Sequence, residues 1–178
     1  MNAAFHSLQK SAQWWGSKIF FYPSLAALVA LFANYPLYAR GFDFHHNGLM
    51  LAAAVAVRDG AGIHSEVFSQ YGPVTTLSQA LILRFGGDPA LSLDVWSISL
   101  IVLTAWLIAA LGFVAPSGFA LRRGESFTAA VLWVFLSPNF IMGTIQAWSS
   151  LLAAFLVVML TFVVLLALRL SENRPGPW

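Results

Sequence analysis

Charged side chains fall away from three stretches of this chain, and the lengths of those stretches predict most of its architecture. Between Ile19 and Phe42 the sole Asp, Glu, Lys or Arg is Arg40, and none of these residues occurs from Val95 to Leu121 or from Ser126 to Leu168. Crossing the ~30 Å hydrocarbon core of a bilayer takes roughly 20 helical residues, so each stretch is long enough to span. The last would make one helix of about 65 Å at 1.5 Å per residue, about twice that core, and therefore divides in two. Ser137-Pro138-Asn139 and the group Gly143, Thr144, Gln146, Ser149 and Ser150 supply the break. Pro138 removes a backbone donor and disfavours helix at Ser137. The pattern predicts spans at 19–38, 95–115, 125–142 and 148–168, with a loop at 116–124 and a turn at 143–147.

Between the first two spans, residues 39–94 are too apolar for a solvated linker. Residues 48–57 read GLMLAAAVAV, too short to cross, and end at Arg58-Asp59-Gly60, a helix stop with Gly where a left-handed cap is needed. Residues 74–85 set Val74, Leu77 and Leu81 on one helical face and Thr75, Thr76 and Gln79 on another, then stop at Gly86-Gly87. Two short interfacial helices fit both lengths, with Gly72-Pro73 turning the connection between them. The expected fold class is an all-α integral membrane protein: four transmembrane helices, with two interfacial helices in the first outer loop.

Composition agrees. Hydrophobic residues make up 59% of the chain and charged residues 9%, where an ordinary soluble domain carries about 25% charged residues; the mean hydropathy is +0.76. Basic residues favour the cytoplasmic side of short loops. Lys10 and Lys18 precede the first span, Arg122 and Arg123 follow the second, and Arg169 and Arg174 follow the fourth, all on one side. The other side sets Arg40, Arg58 and Arg84 against Asp43, Asp59, Glu66, Asp88 and Asp94. Both termini are expected in the cytoplasm and loop 39–94 in the periplasm of a bacterial inner membrane. Residues 1–18, with Trp14 and Trp15 beside Lys18, suit the headgroup boundary, and 169–178 form a cytoplasmic tail. The first span, with Pro23 and Pro36 and no convincing small-x-small site before Arg40, reads as an uncleaved anchor. The net charge of +2 follows from topology and gives no support to nucleic-acid binding, while the absence of cysteine removes disulfides and thiolate chemistry.

The spans hold no charged residue at membrane depth, which argues against an ion-coupled transporter or proton pump. Chemistry is then expected at the outer interface, where Asp43, His45, His46, His64 and Glu66 are the acids, bases and ligands. Asp43 and His46 would share a face of a continuing helix, whereas adjacent His45 and His46 diverge by about 100° and chelate one metal poorly. These spacings signal a metal site only weakly. The same side chains read first as a polar collar that solvates the end of the first span, His64 and Glu66 equally fit a polar turn, and Tyr71-Gly72-Pro73 is first of all a turn.

The segment FDFHHNGLMLAAAVAVRDGAGIHSEVFSQYGPVTTLSQALILRFGG, placed between two spans, resembles the amino-terminal part of the GT-C glycosyltransferases, membrane enzymes that use polyprenyl-phosphate sugars. Asp43, His46, Gly48, Phe68 and Tyr71-Gly72-Pro73 match that pattern, and SPNFIMGTIQAWSSLLAAF is similar to the family's hairpin between its third and fourth spans. The resemblance implies that Asp43 is the catalytic base that deprotonates an acceptor hydroxyl. It also implies that His45 and His46 orient the donor phosphate or a divalent cation, and that His64, Glu66 and Tyr71 contact substrate; no organic cofactor is implied. Asn47 stands where relatives often carry an acid, Glu66 in place of an Asp, and His64 in place of an aromatic. The family has more spans than four, so this chain would be either cut short or completed by a membrane-protein partner. The alternative is a non-catalytic accessory subunit of a larger energy-transducing or biosynthetic membrane complex, with close helix contacts at Gly143 and Ala153.

Overall fold

The computed structural model describes residues 20–37, 46–63, 65–69, 72–119, 121–142 and 149–172, without the side chains of His46 and Pro138. The described residues are helical apart from their connections. Helix α1 (Phe20–Leu37) is followed by α2 (His46–Arg58), α3 (Pro73–Leu83), α4 (Pro89–Val114), α5 (Arg123–Leu136), α6 (Pro138–Met142) and α7 (Ser149–Glu172). Four segments are long and apolar enough to cross a membrane: α1, α4, α5 continued by α6, and α7. The apolar helices α2 and α3 lie between the first two and are too short to cross. Four such candidate spans suggest a multi-pass membrane protein.

The ends of these helices follow from local chemistry. Helix α4 begins at Pro89, six residues ahead of the apolar run at 95, because Asp88 caps it: the Asp88 carboxylate accepts from the Leu91 backbone N–H at 3.0 Å, and Pro89 occupies the first turn. Asp94 therefore lies on the helix rather than in a loop. Asp88→Ala is expected to destabilise the fold by about 1 kcal/mol and Asp88→Asn by much less, measured by thermal unfolding in detergent. Helix α5 begins where Glu125 reaches back to the Arg122 N–H at 3.0 Å. It ends at Ser137, whose extended backbone (φ −62, ψ 144) breaks the span ahead of Pro138. The Ser137 hydroxyl donates to the Val134 carbonyl at 2.8 Å and accepts from Phe140 N–H at 3.3 Å, so one buried side chain closes α5 and opens α6. Gly60 (φ 107) ends α2, and Gly86 (φ 92) and Gly87 (φ 96) follow α3, conformations that side chains with a Cβ rarely adopt.

Helix α4 is the centre of the bundle and packs against α5, α7, α3 and α2. At its far end Phe20 meets Trp106 at 6.5 Å between ring centroids, and Tyr22 meets Phe113 at 6.2 Å and Phe127 at 5.9 Å, so α1 runs antiparallel to α4 and beside α5. Small side chains permit this approach: Ala26, Ala109 and Ala130 form a buried cluster flanked by Ile108 and Phe127. The larger core gathers Ala30, Met50, Leu93, Trp96, Leu100, Ile101, Val134 and Leu152, toward the opposite end. Near the first end, the Arg169 guanidinium donates to the Phe113 carbonyl, and Glu172 accepts from the Ser117 N–H at 3.2 Å. One end of the bundle thus carries Arg122, Arg123 and Arg169. The other carries α2, α3 and the acids Asp59, Glu66, Asp88 and Asp94.

The two faces of α3 are arranged opposite to those of a surface helix in water. Val74, Leu77 and Leu81 are 60%, 52% and 57% exposed, while Thr75, Thr76 and Gln79 are buried. Along α7, Val157, Leu160, Val163 and Val164 also point outward. Apolar exteriors on this scale are stable where the surroundings are hydrocarbon rather than water.

Candidate functional site

The end of the bundle that carries α2 and α3 is where α1 finishes, α4 begins, α5 gives way to α6, and α7 starts. Polar side chains that an apolar span would exclude are buried there. Asn34 lies one turn before the end of α1, and its amide donates to the Ala30 carbonyl at 2.8 Å. Its Oδ1 has no hydrogen-bond partner among the described residues. Leaving such an acceptor dry costs about 1–3 kcal/mol. Asn47 in the first turn of α2, Gln79 in α3, Ser97 in α4 and Asn139 in α6 are likewise buried. Gln79 also donates to the Met50 sulfur at 3.9 Å, tying α3 to α2.

The connection between α2 and α3 is held by its own polar groups. The Glu66 carboxylate accepts from the Gly62 N–H at 2.7 Å, and the Glu66 and Val67 N–H groups donate back to the Gly62 carbonyl at 3.0 and 3.1 Å. A Cβ at Gly62 would fall 2.3 Å from the Ser65 hydroxyl oxygen, so a side chain there requires that exposed hydroxyl to turn away. Ser69 and Thr76 hydroxyls meet at 2.6 Å, both buried, and so pin the start of α3 to the loop ahead of it. Gly72, at φ 87, makes the turn into Pro73. At the end of α2, Arg58 and Asp59 pair at 2.8 Å. The Arg58 hydrogen bond holds the Asp59 carboxyl below its ordinary range. Whatever this exposed pair contributes is present at neutral pH and lost as pH falls through that lowered value.

Beside α3 the structure has a groove of about 330 Å³ lined by Val74, Thr75, Ser149, Ser150, Leu152, Ala153 and Leu156, between the starts of α3 and α7. Its wall changes from hydroxyl-bearing to aliphatic along α7. Such a groove can seat a molecule with a polar end and an apolar body.

Of the residues singled out from the sequence, Asp43, His45, His64 and Tyr71 lie outside the described residues, as does Gly143. His46 opens α2. Glu66 is exposed, and its carboxylate serves the loop that carries it. Among the described residues no three of His, Cys, Asp and Glu converge as a metal-binding group. Sequence reasoning used Asn139 as part of a helix break and named Asn47 as a departure from the family pattern, but passed over the buried Ser69 and Ser97. The available signal was a polar residue one turn from a helix terminus next to an apolar run. No family model, curated protein or solved structure matches this chain.

Proposed function

We propose that the chain is the amino-terminal module of a GT-C-like membrane glycosyltransferase, which transfers sugar from a polyprenyl-phosphate donor at the end of the bundle carrying α2 and α3. The observation that carries this reading is the order span, short apolar helix, polar turn, short apolar helix, span. Residues 38–45, with Asp43 among them, join the end of α1 to the start of α2. In this reading Asp43 acts as the base, at the boundary where a lipid-borne phosphate sugar presents its reacting carbon to water. His45 and His46 orient the phosphate or a divalent cation, with His64, Glu66 and Tyr71 toward the substrate. The groove beside Thr75 supports it, since the reaction needs polar contacts for the donor's head and an apolar path for its lipid. Both termini would lie in the cytoplasm and loop 39–94 in the periplasm of a bacterial inner membrane, with remaining helices of the enzyme supplied by a membrane-protein partner or further chain.

Incubating membranes that contain the chain with labelled polyprenyl-phosphate sugars tests this. Transfer of label to an acceptor above that of membranes lacking the chain is the expected result; none, with every donor sugar and with the partner present, would count against it. A second reading, a non-catalytic accessory subunit of a larger membrane complex, is favoured by α7. That span buries little of itself within this chain and leaves Ala153 exposed beside Val157 and Leu160, a surface for lateral packing. Leu160→Ala, on that surface and outside the groove beside Thr75, should then weaken a co-purifying assembly, which glycosyl transfer by a lipid-facing α7 does not require.

A further inference from the structure

Thr75, Ser149 and Ser150 place three hydroxyls along the groove between the starts of α3 and α7. Elsewhere on the helices, the hydroxyls of Ser92, Ser97, Thr128 and Thr161 fold back and donate to the carbonyl four residues earlier, each at 2.9 Å. The three in the groove sit within the first three residues of their helices, where no helical carbonyl lies four residues behind. They make no hydrogen bond among the described residues. Thr75 is buried, at 4% exposure, and the surface it keeps lines the groove. The same turn offers backbone donors. No side chain caps α3, Pro73 has no N–H, and the Thr76 N–H is taken by the Gly72 carbonyl at 3.3 Å, so Val74 and Thr75 carry the N–H groups with no acceptor inside their helix.

We propose that Thr75, Ser149, Ser150 and the first-turn N–H groups of α3 hold the phosphodiester of an isoprenyl lipid, whose chain lies along Leu152 and Leu156. The assignment rests on the reading of the chain as a transferase for lipid-linked sugars, and it names the groups that grip the donor's head. A phosphate oxygen takes several hydrogen bonds at once, and bonds to a charged acceptor are stronger than neutral ones. The groove's walls hold no ionised side chain, and no Asp, Glu, Lys or Arg occurs from 67 to 83 or from 126 to 168. Its positive potential comes from two helix N-termini, about half a charge each and so roughly one together. That matches a diester, which carries one negative charge, and not a diphosphate, which carries more. A lipid is favoured over a soluble phosphate because Val74, Leu152, Ala153 and Leu156 adjoin the hydroxyls in the same groove.

Native mass spectrometry of the full chain, titrated with farnesyl methyl phosphate, farnesyl diphosphate or farnesol, tests the site. Wild type should bind the diester about tenfold more tightly than either of the others. Thr75→Val, which keeps the side chain's shape, should weaken diester binding about tenfold and Ser150→Ala about fivefold, with farnesol binding unchanged. Ser171→Ala, at the opposite end of α7, should change neither. Because Ser150 is exposed, its variant tests the site even if Thr75→Val fails to fold. Diester binding no tighter than that of farnesol or the diphosphate, binding unaltered by Thr75→Val and Ser150→Ala, or displacement by equimolar dimethyl phosphate would overturn the site, whatever sugar transfer is found. Diester binding with the expected losses in these variants, but no transfer in membranes, would keep the site and remove the transferase reading instead.

Discussion

Asp43→Asn is expected to abolish sugar transfer while leaving the chain in the membrane. Asparagine keeps the size and much of the hydrogen bonding of aspartate but cannot take up a proton, so an acceptor hydroxyl would have to attack the anomeric carbon undeprotonated. General-base assistance contributes about 10²- to 10⁴-fold to such steps, and the fall in rate should lie in that range or below detection. Insertion depends on the apolar spans, from which residue 43 is absent, so the variant should resist alkaline extraction as wild type does. Transfer at the wild-type rate would remove Asp43 as the base. Loss of transfer together with loss of insertion would instead give it a structural role.

Gly112→Leu should prevent the bundle from assembling. Helix α4 approaches α5 so closely at Gly112 that a Cβ there would lie 2.8 Å from the Ser126 hydroxyl oxygen, 2.9 Å from the Arg123 Cα and 3.2 Å from the Arg122 carbonyl oxygen. Two of these three neighbours are backbone, so no side-chain rotation relieves the contact and the helices must part. Even alanine should cost about 1–3 kcal/mol in overpacking, against a gain of at most about 1 kcal/mol in helix propensity. Gly48→Ala, in the first turns of α2, is the control: nothing lies within 4 Å of its added Cβ, and stability should hold or rise. Thermal unfolding in mild detergent with size-exclusion profiles separates the cases. A Gly112→Leu protein as stable and monodisperse as wild type would mean that α4 and α5 do not cross as described.

The spans were legible because charge is so costly in hydrocarbon that its absence over 20 or more residues carries one meaning. The break at Ser137 was legible for a similarly local reason, the proline after it. Helix α4 was misjudged at its start because hydropathy begins at Val95, whereas the helix is nucleated by Asp88 and Pro89, polar and turn-forming residues that a hydropathy profile discounts. The periodicity of α3 separated its two faces but did not say which would be buried. That choice depends on what surrounds the helix, and with hydrocarbon outside, Thr75, Thr76 and Gln79 turn inward. Of the ionisable cluster after the first span, Asp43 and His45 lie outside the described residues. The buried polar contacts at the end of the bundle carrying α2 and α3, Asn34 to Ala30 and Ser69 to Thr76, arise from helix ends and loop closure that single positions in a sequence do not reveal.

The composition of the particle extracted in a mild detergent bears most directly on glycosyl transfer. Its native mass should be measured, and every co-purifying polypeptide and lipid identified. Transfer by a GT-C-like module predicts a small particle that retains a polyprenyl-phosphate sugar, alone or with one complementary multi-spanning partner. A large assembly of unrelated subunits, devoid of polyprenyl lipid, would contradict it and make α7 and the loop at 39–94 interfaces instead.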